Sequence, residues 1–140
     1  MKILIMNGPN LNRLGKRKPE IYGSKTMEDV LEETKRALPD IEIEYMQSNH
    51  EGDLIDRLQT TDADGVIINP GGLCHTSVSL MDAVEEAGDR GIKVVEVHIS
   101  DISKREAFRR ESLLTRVCAH NIKGHGTDGY KEAAQWIKEH

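Results

Sequence analysis

Val94-Val95-Glu96-Val97-His98-Ile99-Ser100 is the stretch that decides how this chain folds. A short run of β-branched residues bounded by helix signals reads as a strand. A helical stretch over Thr76–Arg90 precedes it and stops at Gly91. Another is expected over Ser103–Arg109, where Ser103 and Glu106 form a capping-box pattern. The same alternation runs outward in both directions. Strands are expected at Lys2–Met6, Ile41–Gln47, Gly65–Asn69, Lys93–His98 and Val117–Lys123. The remaining helices are expected near Thr26–Leu38, Glu51–Thr60 and Asp128–Glu139. Thr26 with Asp29 marks one more helix start, and Pro39 one more stop. Strands and helices that alternate with short links require a parallel sheet covered on both faces, because right-handed crossovers put the helices there.

The expected fold is therefore α/β: a flavodoxin-like, doubly wound five-stranded parallel sheet with helices on both faces. It forms one domain over residues 1–140, without linker, repeat or low-complexity segment. A chain of 140 residues can bury a core without staples. With 19 basic and 24 acidic residues it is mildly acidic, and it carries no Lys/Arg stripe with interleaved aromatics, so nucleic acid is not an expected partner. Cys74 and Cys118 are too few for a disulfide framework and suit a reducing compartment. Only four apolar residues separate Lys2 from Asn7, so no signal peptide is expected, and no apolar run reaches membrane-spanning length. A cytoplasmic protein with no membrane contact is the expectation.

In strand four, side chains alternate, so Glu96, His98 and Ser100 share one face and Val95, Val97 and Ile99 the other. A central parallel strand is normally apolar on both faces. A carboxylate and an imidazole there cost several kcal/mol unless they pair. A structural Glu–His pair would satisfy that requirement. Ligands in open α/β sheets bind beyond the carboxyl ends of the strands, however, and at that tip Glu96 orients His98 as a general acid. Strand one ends in Asn7-Gly8-Pro9-Asn10 and strand three in Asn69-Pro70-Gly71-Gly72, and all three tips are expected to converge.

After strand one, almost twenty residues pass without periodicity, a length usually tied to function in a compact domain. We read about 12–24 as a flap. It holds Arg17 and Tyr22. Lowering a Tyr pKa from about 10 toward 7 takes roughly 4 kcal/mol of preference for the anion. One guanidinium at about 4 Å supplies about that much at an effective dielectric of about 20. One arginine is enough to hold a phenolate. In the segment after strand three, Thr76 or Ser77 is expected to cap a helix whose N–H groups favour an anion. His75 and Asp82 lie seven apart, on one helical face. Arg105 and Arg109, at helical spacing, are candidates for a substrate carboxylate or for the flap.

Asn7 through Gly23 resembles the N-terminal signature of type II 3-dehydroquinate dehydratase, and further segments match in order. They are Gln47-Ser48-Asn49-His50-Glu51-Gly52 with Leu54-Ile55-Asp56; Asn69-Pro70-Gly71 through His75-Thr76-Ser77-Val78 with Asp82-Ala83; and Glu96-Val97-His98-Ile99-Ser100 with Arg105-Glu106-Ala107-Phe108-Arg109 and Ser112. The resemblance implies a lyase that dehydrates 3-dehydroquinate through an enolate, without metal or organic cofactor. By it Tyr22 is the base, Arg17 holds it ionised, Asn10 steadies a water at the enolate oxygen, and His98, supported by Glu96, protonates the departing hydroxyl. Asn69, His75, Asp82, Ile99, Ser100 and Arg109 bind substrate. The resemblance also implies a homo-oligomer, a dodecamer built as a tetramer of trimers. Gly72-Leu73-Cys74, Met81 and Asp101 depart from the family pattern, none at a catalytic position.

Other motifs fail on context. Gly124-His125-Gly126-Thr127-Asp128-Gly129 fits G-x-G-x-x-G but opens the last expected helix, with no strand read after it. Gly8 to Lys16 mimics a phosphate loop, yet six residues separate its glycines and Arg17 stands where Ser or Thr is needed. Cys74-His75 suggests a thiol dyad, but neighbours in regular structure point apart, so both cysteines are expected only to pack. The histidines show no metal-ligand spacing. A flavin binder would need aromatic rings at the strand tips, where Tyr22 stands almost alone. A phosphoacceptor domain would need acidic residues where Asn7 and Asn69 stand.

Overall fold

The computed structural model describes residues 1–16, 18, 20 and 24–140. Arg17, Tyr22 and part of the expected flap lie outside them. Strands β1 (Lys2–Asn7), β2 (Glu42–Gln47), β3 (Gly65–Asn69), β4 (Lys93–His98) and β5 (His120–Lys123) pair in parallel in the order β2-β1-β3-β4-β5. That is the flavodoxin-like order expected. Its strand order reverses between β1 and β3, which opens a crevice beyond their carboxyl ends.

Side-chain alternation divides the core into two layers. Ile3, Ile5, Ile67, Val95 and Val97 point toward α1 (Met27–Ala37) and α4 (Asp128–Glu139), meeting Val30, Ala133, Ala134 and Ile137. Leu4, Met6, Val66, Ile68 and Val94 point the other way, onto Leu54 and Leu58 of α2 (Glu51–Thr60) and Leu80, Val84 and Ala87 of α3 (Val78–Asp89). With Phe108 exposed and Trp136 only partly buried, aliphatic side chains and the buried ring of Tyr130 fill the two layers. Thr26 caps α1 in a full capping box with Asp29, as its spacing predicts.

Two expectations fail after β4. Ser103–Arg109 is not an α-helix but two 3-10 turns, Ile102–Lys104 and Ala107–Arg109. The Asp101 carboxylate accepts from both the Ser103 N–H (3.0 Å) and the Ser103 hydroxyl (2.6 Å). Asp101 is therefore the cap, and Arg105 turns extended one turn later. Strand five starts at His120, not Val117, because Val117 and Cys118 still donate their N–H groups to Leu114 at the end of a third 3-10 turn, Leu113–Arg116.

Candidate active site

The tips of β1 and β3 lock together through their glycines. Gly8 donates its N–H to the Asn69 carbonyl (2.8 Å), and a Cβ at Gly8 would stand 2.5 Å from the Pro70 carbonyl oxygen. Gly71, at φ 59°, sits so close to Pro9 that its Cβ would fall 2.8 Å from the Pro9 oxygen. Only glycine allows this approach at both points. The interlock sets the floor of a cleft of about 250 Å³ at the carboxyl end of the sheet.

Behind that floor lies a polar centre absent from the sequence reading. Tyr130 of α4 is fully buried; its hydroxyl donates to Asn7 Oδ1 (2.8 Å) and accepts from Asn69 Nδ2 (2.9 Å). Asn69 Oδ1 accepts the Gly71 N–H at 3.2 Å. Burial pushes the Tyr130 hydroxyl pKa up, against the opposing effect of its hydrogen bonds with Asn69 and Asn7. Sequence reasoning missed Tyr130 because a helical Tyr among alanines reads as core; its polar end becomes visible only when α4 packs beneath two strand tips. Asn10 is held above by Asn49, whose Oδ1 accepts the Asn10 N–H (2.9 Å), and its backbone sits at φ 72°, a region Asn tolerates.

His98 and Glu96 meet as their shared face predicts. His98 Nε2 donates to Glu96 Oε2 at 2.6 Å, and Glu96 is fully buried. Ser112 Oγ donates to the same oxygen, and Thr115 Oγ1 donates to Oε1 at 2.5 Å. Burial is the largest single influence on Glu96 and favours its neutral form. The His98 hydrogen bond and charge, with Ser112 and Thr115, outweigh it and hold the pKa below the usual carboxylate value. An ionised Glu96 fixes the tautomer of neutral His98 and leaves Nδ1 as the nitrogen for a substrate.

The described lining of the cleft includes Arg13, Arg105, Arg109, His75 and His98 and no carboxylate. In a chain of net charge −5, this concentrates positive potential at one concave surface. Asn10, Asn69, Ile99 and Ser100 also line it, as expected. Arg105 and Arg109 reach it from separate 3-10 turns, so their helical spacing was the wrong reason for a correct grouping. Glu106 approaches Arg109 Nε at 3.3 Å without alignment, and the buried Nε–H makes no hydrogen bond among the described residues. Arg13 was not singled out in the sequence; as one of several loop cations it carried no distinguishing signal.

Asp82 is exposed on α3 and does not line the cleft, whereas His75 does. Their shared helical face fails because His75 ends a 3-10 segment (Gly71–His75) and extended Ser77 intervenes before α3. Ser77, not Thr76, caps α3, accepting the Leu80 N–H at 2.9 Å. The anion at that helix start is the protein's own Glu51, to which Ser77 Oγ donates. Cys74 corrects another expectation. Its sulfur lies 3.4 Å from His75 Nε2, since the 3-10 turn brings neighbours together, yet burial first and the Glu96 charge second push the thiol pKa up to about 12. It packs, as expected, but for an electrostatic reason.

Residues 1–138 match the family Dehydroquinase class II. The chain belongs to that family. It is 47% identical over 141 residues to the 3-dehydroquinate dehydratase of Thermotoga petrophila, covering 99% of this chain and 96% of the relative. To that of Bacillus pumilus it is 48% identical over 140 residues, 96% and 92%. A type II dehydroquinase crystal structure from Butyrivibrio crossotus superposes with a TM-score of 0.93 at 41% identity, covering 99% and 97%. As a class II dehydroquinase the chain is an enzyme. Of the segments quoted from its sequence, residues 9–14, 69–75 and 98–109 supply the described lining of the cleft, whereas residues 47–56 and Asp82 do not line it.

Proposed function

We propose that this chain is a hydro-lyase that removes water from 3-dehydroquinate in the trans sense, giving 3-dehydroshikimate on the route to chorismate and aromatic amino acids. The Tyr22 phenolate, held ionised by Arg17, takes the proton beside the ketone. The electron pair moves onto the carbonyl oxygen as an enolate, which Asn10 stabilises through a water. As the enolate collapses, the C–O bond to the departing hydroxyl breaks and protonated His98 supplies the proton that makes it water. Arg109, Asn69, His75, Ile99 and Ser100 bind the substrate, and Asp82, outside the cleft, drops from the expected set. Residues 1–140 act as one catalytic domain, with about 12–24 as its flap, without metal or organic cofactor.

His98, backed by a buried ionised Glu96 at an arginine-lined cleft, is the observation that carries this reading. A buried countercharge makes the imidazolium affordable, and the arginines suit an anionic substrate. The chain assembles in the cytoplasm as a dodecamer built as a tetramer of trimers. Exposed Phe108 and Val78 and the half-exposed edge strand β2 support assembly, since open edges and apolar patches call for cover. No helix among the described residues is long and apolar enough to cross a membrane.

The test is the rise of enone absorbance from 3-dehydroquinate. Tyr22→Phe is expected to lose kcat by about 10²–10⁴-fold with KM kept, and His98→Ala to damage both. Near-native kcat in Tyr22→Phe would reassign the base. Chelator should leave the rate unchanged, and borohydride with substrate should trap nothing on a lysine; a trapped adduct sinks the enolate route.

A further inference from the structure

The direction of the hydrogen bond between Thr115 and Glu96 is forced. Lys123 Nζ lies 2.9 Å from Thr115 Oγ1, and an ammonium can only donate. Thr115 must then turn its own single proton toward Glu96 Oε1, 2.5 Å away. Ser112 Oγ and His98 Nε2 both donate to Oε2. Every partner points its hydrogen at Glu96, so the network accepts only the ionised carboxylate. Lys123 starts this chain from the end of β5, where it pairs in register with His98 itself.

We propose that Lys123, acting through Thr115 and through its charge beside β4, is a positioning residue that sets the pH at which His98 gives up its proton. It does so in two ways. Through Thr115 it locks Glu96 in the acceptor state, which favours the imidazolium, but Thr115 can donate to Glu96 without it, so this effect is the smaller one. Through space its positive charge opposes the imidazolium, so His98 releases its proton more readily than a Glu–His pair alone would allow. This rests on reading His98 as the general acid, but it makes a claim about protonation that activity need not report.

Other groups facing this network are accounted for. The Cys74 and Cys118 thiols face Glu96 and stay neutral, both pushed up by burial first and then by that carboxylate. Asp101, after β4, is held low chiefly by Ser103, with Lys104 and Lys123 contributing. Arg13, Arg105, Arg109 and His75 face His98 across the cleft. They remain in a Lys123 variant and therefore cancel in the comparison.

The experiment follows the His98 ring by ¹H–¹³C NMR titration, its signal assigned by absence from His98→Ala, alongside the pH profile of kcat. Lys123→Met should raise the His98 midpoint by about one pH unit, the effect of losing a unit charge about 10 Å away along the Thr115–Glu96 chain at an effective dielectric of about 20. Lys123→Arg, which keeps charge and donor, should return it to the wild-type value, and Lys123→Gln serves if Met is not tolerated in folding. A midpoint in the neutral variants within about 0.2 unit of wild type, or one that falls, overturns the proposal. A raised midpoint with an unmoved high-pH limb of kcat supports the Lys123 coupling and overturns instead the role of His98 as acid.

Discussion

Tyr130→Phe removes one oxygen from the centre of the sheet's carboxyl end, and its effect can be worked out from the geometry. The ring is fully buried, so phenylalanine keeps nearly all of its apolar burial and leaves little cavity. What is lost is the donor to Asn7 Oδ1 at 2.8 Å and the acceptor for Asn69 Nδ2 at 2.9 Å. Asn7 retains only a long contact to Tyr45, 3.4 Å from its Nδ2. Each buried group left unsatisfied costs about 1–3 kcal/mol, so the loss should be about 2–4 kcal/mol. At about 2.1 cal/mol/K per residue, a 140-residue chain has an unfolding entropy of about 0.3 kcal/mol/K, so Tm should fall by about 10 °C. Urea unfolding with an unchanged m-value is the assay, because it isolates stability from compactness. Freed from Tyr130, Asn69 also loses its fixed orientation at the cleft, so KM should rise several-fold. A stability loss under about 0.5 kcal/mol refutes the reasoning, since it would mean the hydroxyl satisfies neither amide.

The remaining predictions concern charge, thiols and close approach. Glu96 has a folded pKa below its unfolded value of 4.5, so its contribution is full above that value and is lost as pH falls through the folded pKa; Glu96→Gln should flatten stability against pH on the acid side, and an unchanged slope would assign acid unfolding elsewhere. Tyr130 has the opposite sign: its pKa lies above 10.0 in the fold, so stability present below pH 10 should decline as pH rises further, and Tyr130→Phe should lack that decline in alkaline unfolding curves. With Cys74 raised to about 12 and Cys118 pushed up by burial, an aromatic disulfide reagent at pH 8 should label neither thiol until denaturant is added; rapid labelling of the native protein would contradict the electrostatics. Gly8→Ala puts a methyl 2.5 Å from the Pro70 carbonyl, so it should spread the two tips and cost activity more than tenfold, whereas Gly72→Ala, which meets no atom within 4 Å, should leave the fold's melting temperature unchanged.

The sequence by itself determined the sheet, its strand order and the pairing of Glu96 with His98. Those follow from period-two alternation and short crossovers, which act over a few residues and therefore survive as local pattern. It determined the family as well, because each matching segment is contiguous in the chain. The tertiary structure alone decided what depends on groups brought together from distant positions. Tyr130 looked like core until its hydroxyl fell between Asn7 and Asn69, 123 and 61 residues away. Lys123, named in the sequence only as the end of a strand, reaches Glu96 through Thr115 because β5 pairs with β4. Ser103–Arg109 carried a helix pattern, yet one Asp101 carboxylate captured the Ser103 donors and ended the turn early, and His75 left the face of Asp82 when the chain extended at Ser77. Hydrogen-bond satisfaction in a buried environment is a property of the assembled neighbourhood, so no local spacing could have fixed it.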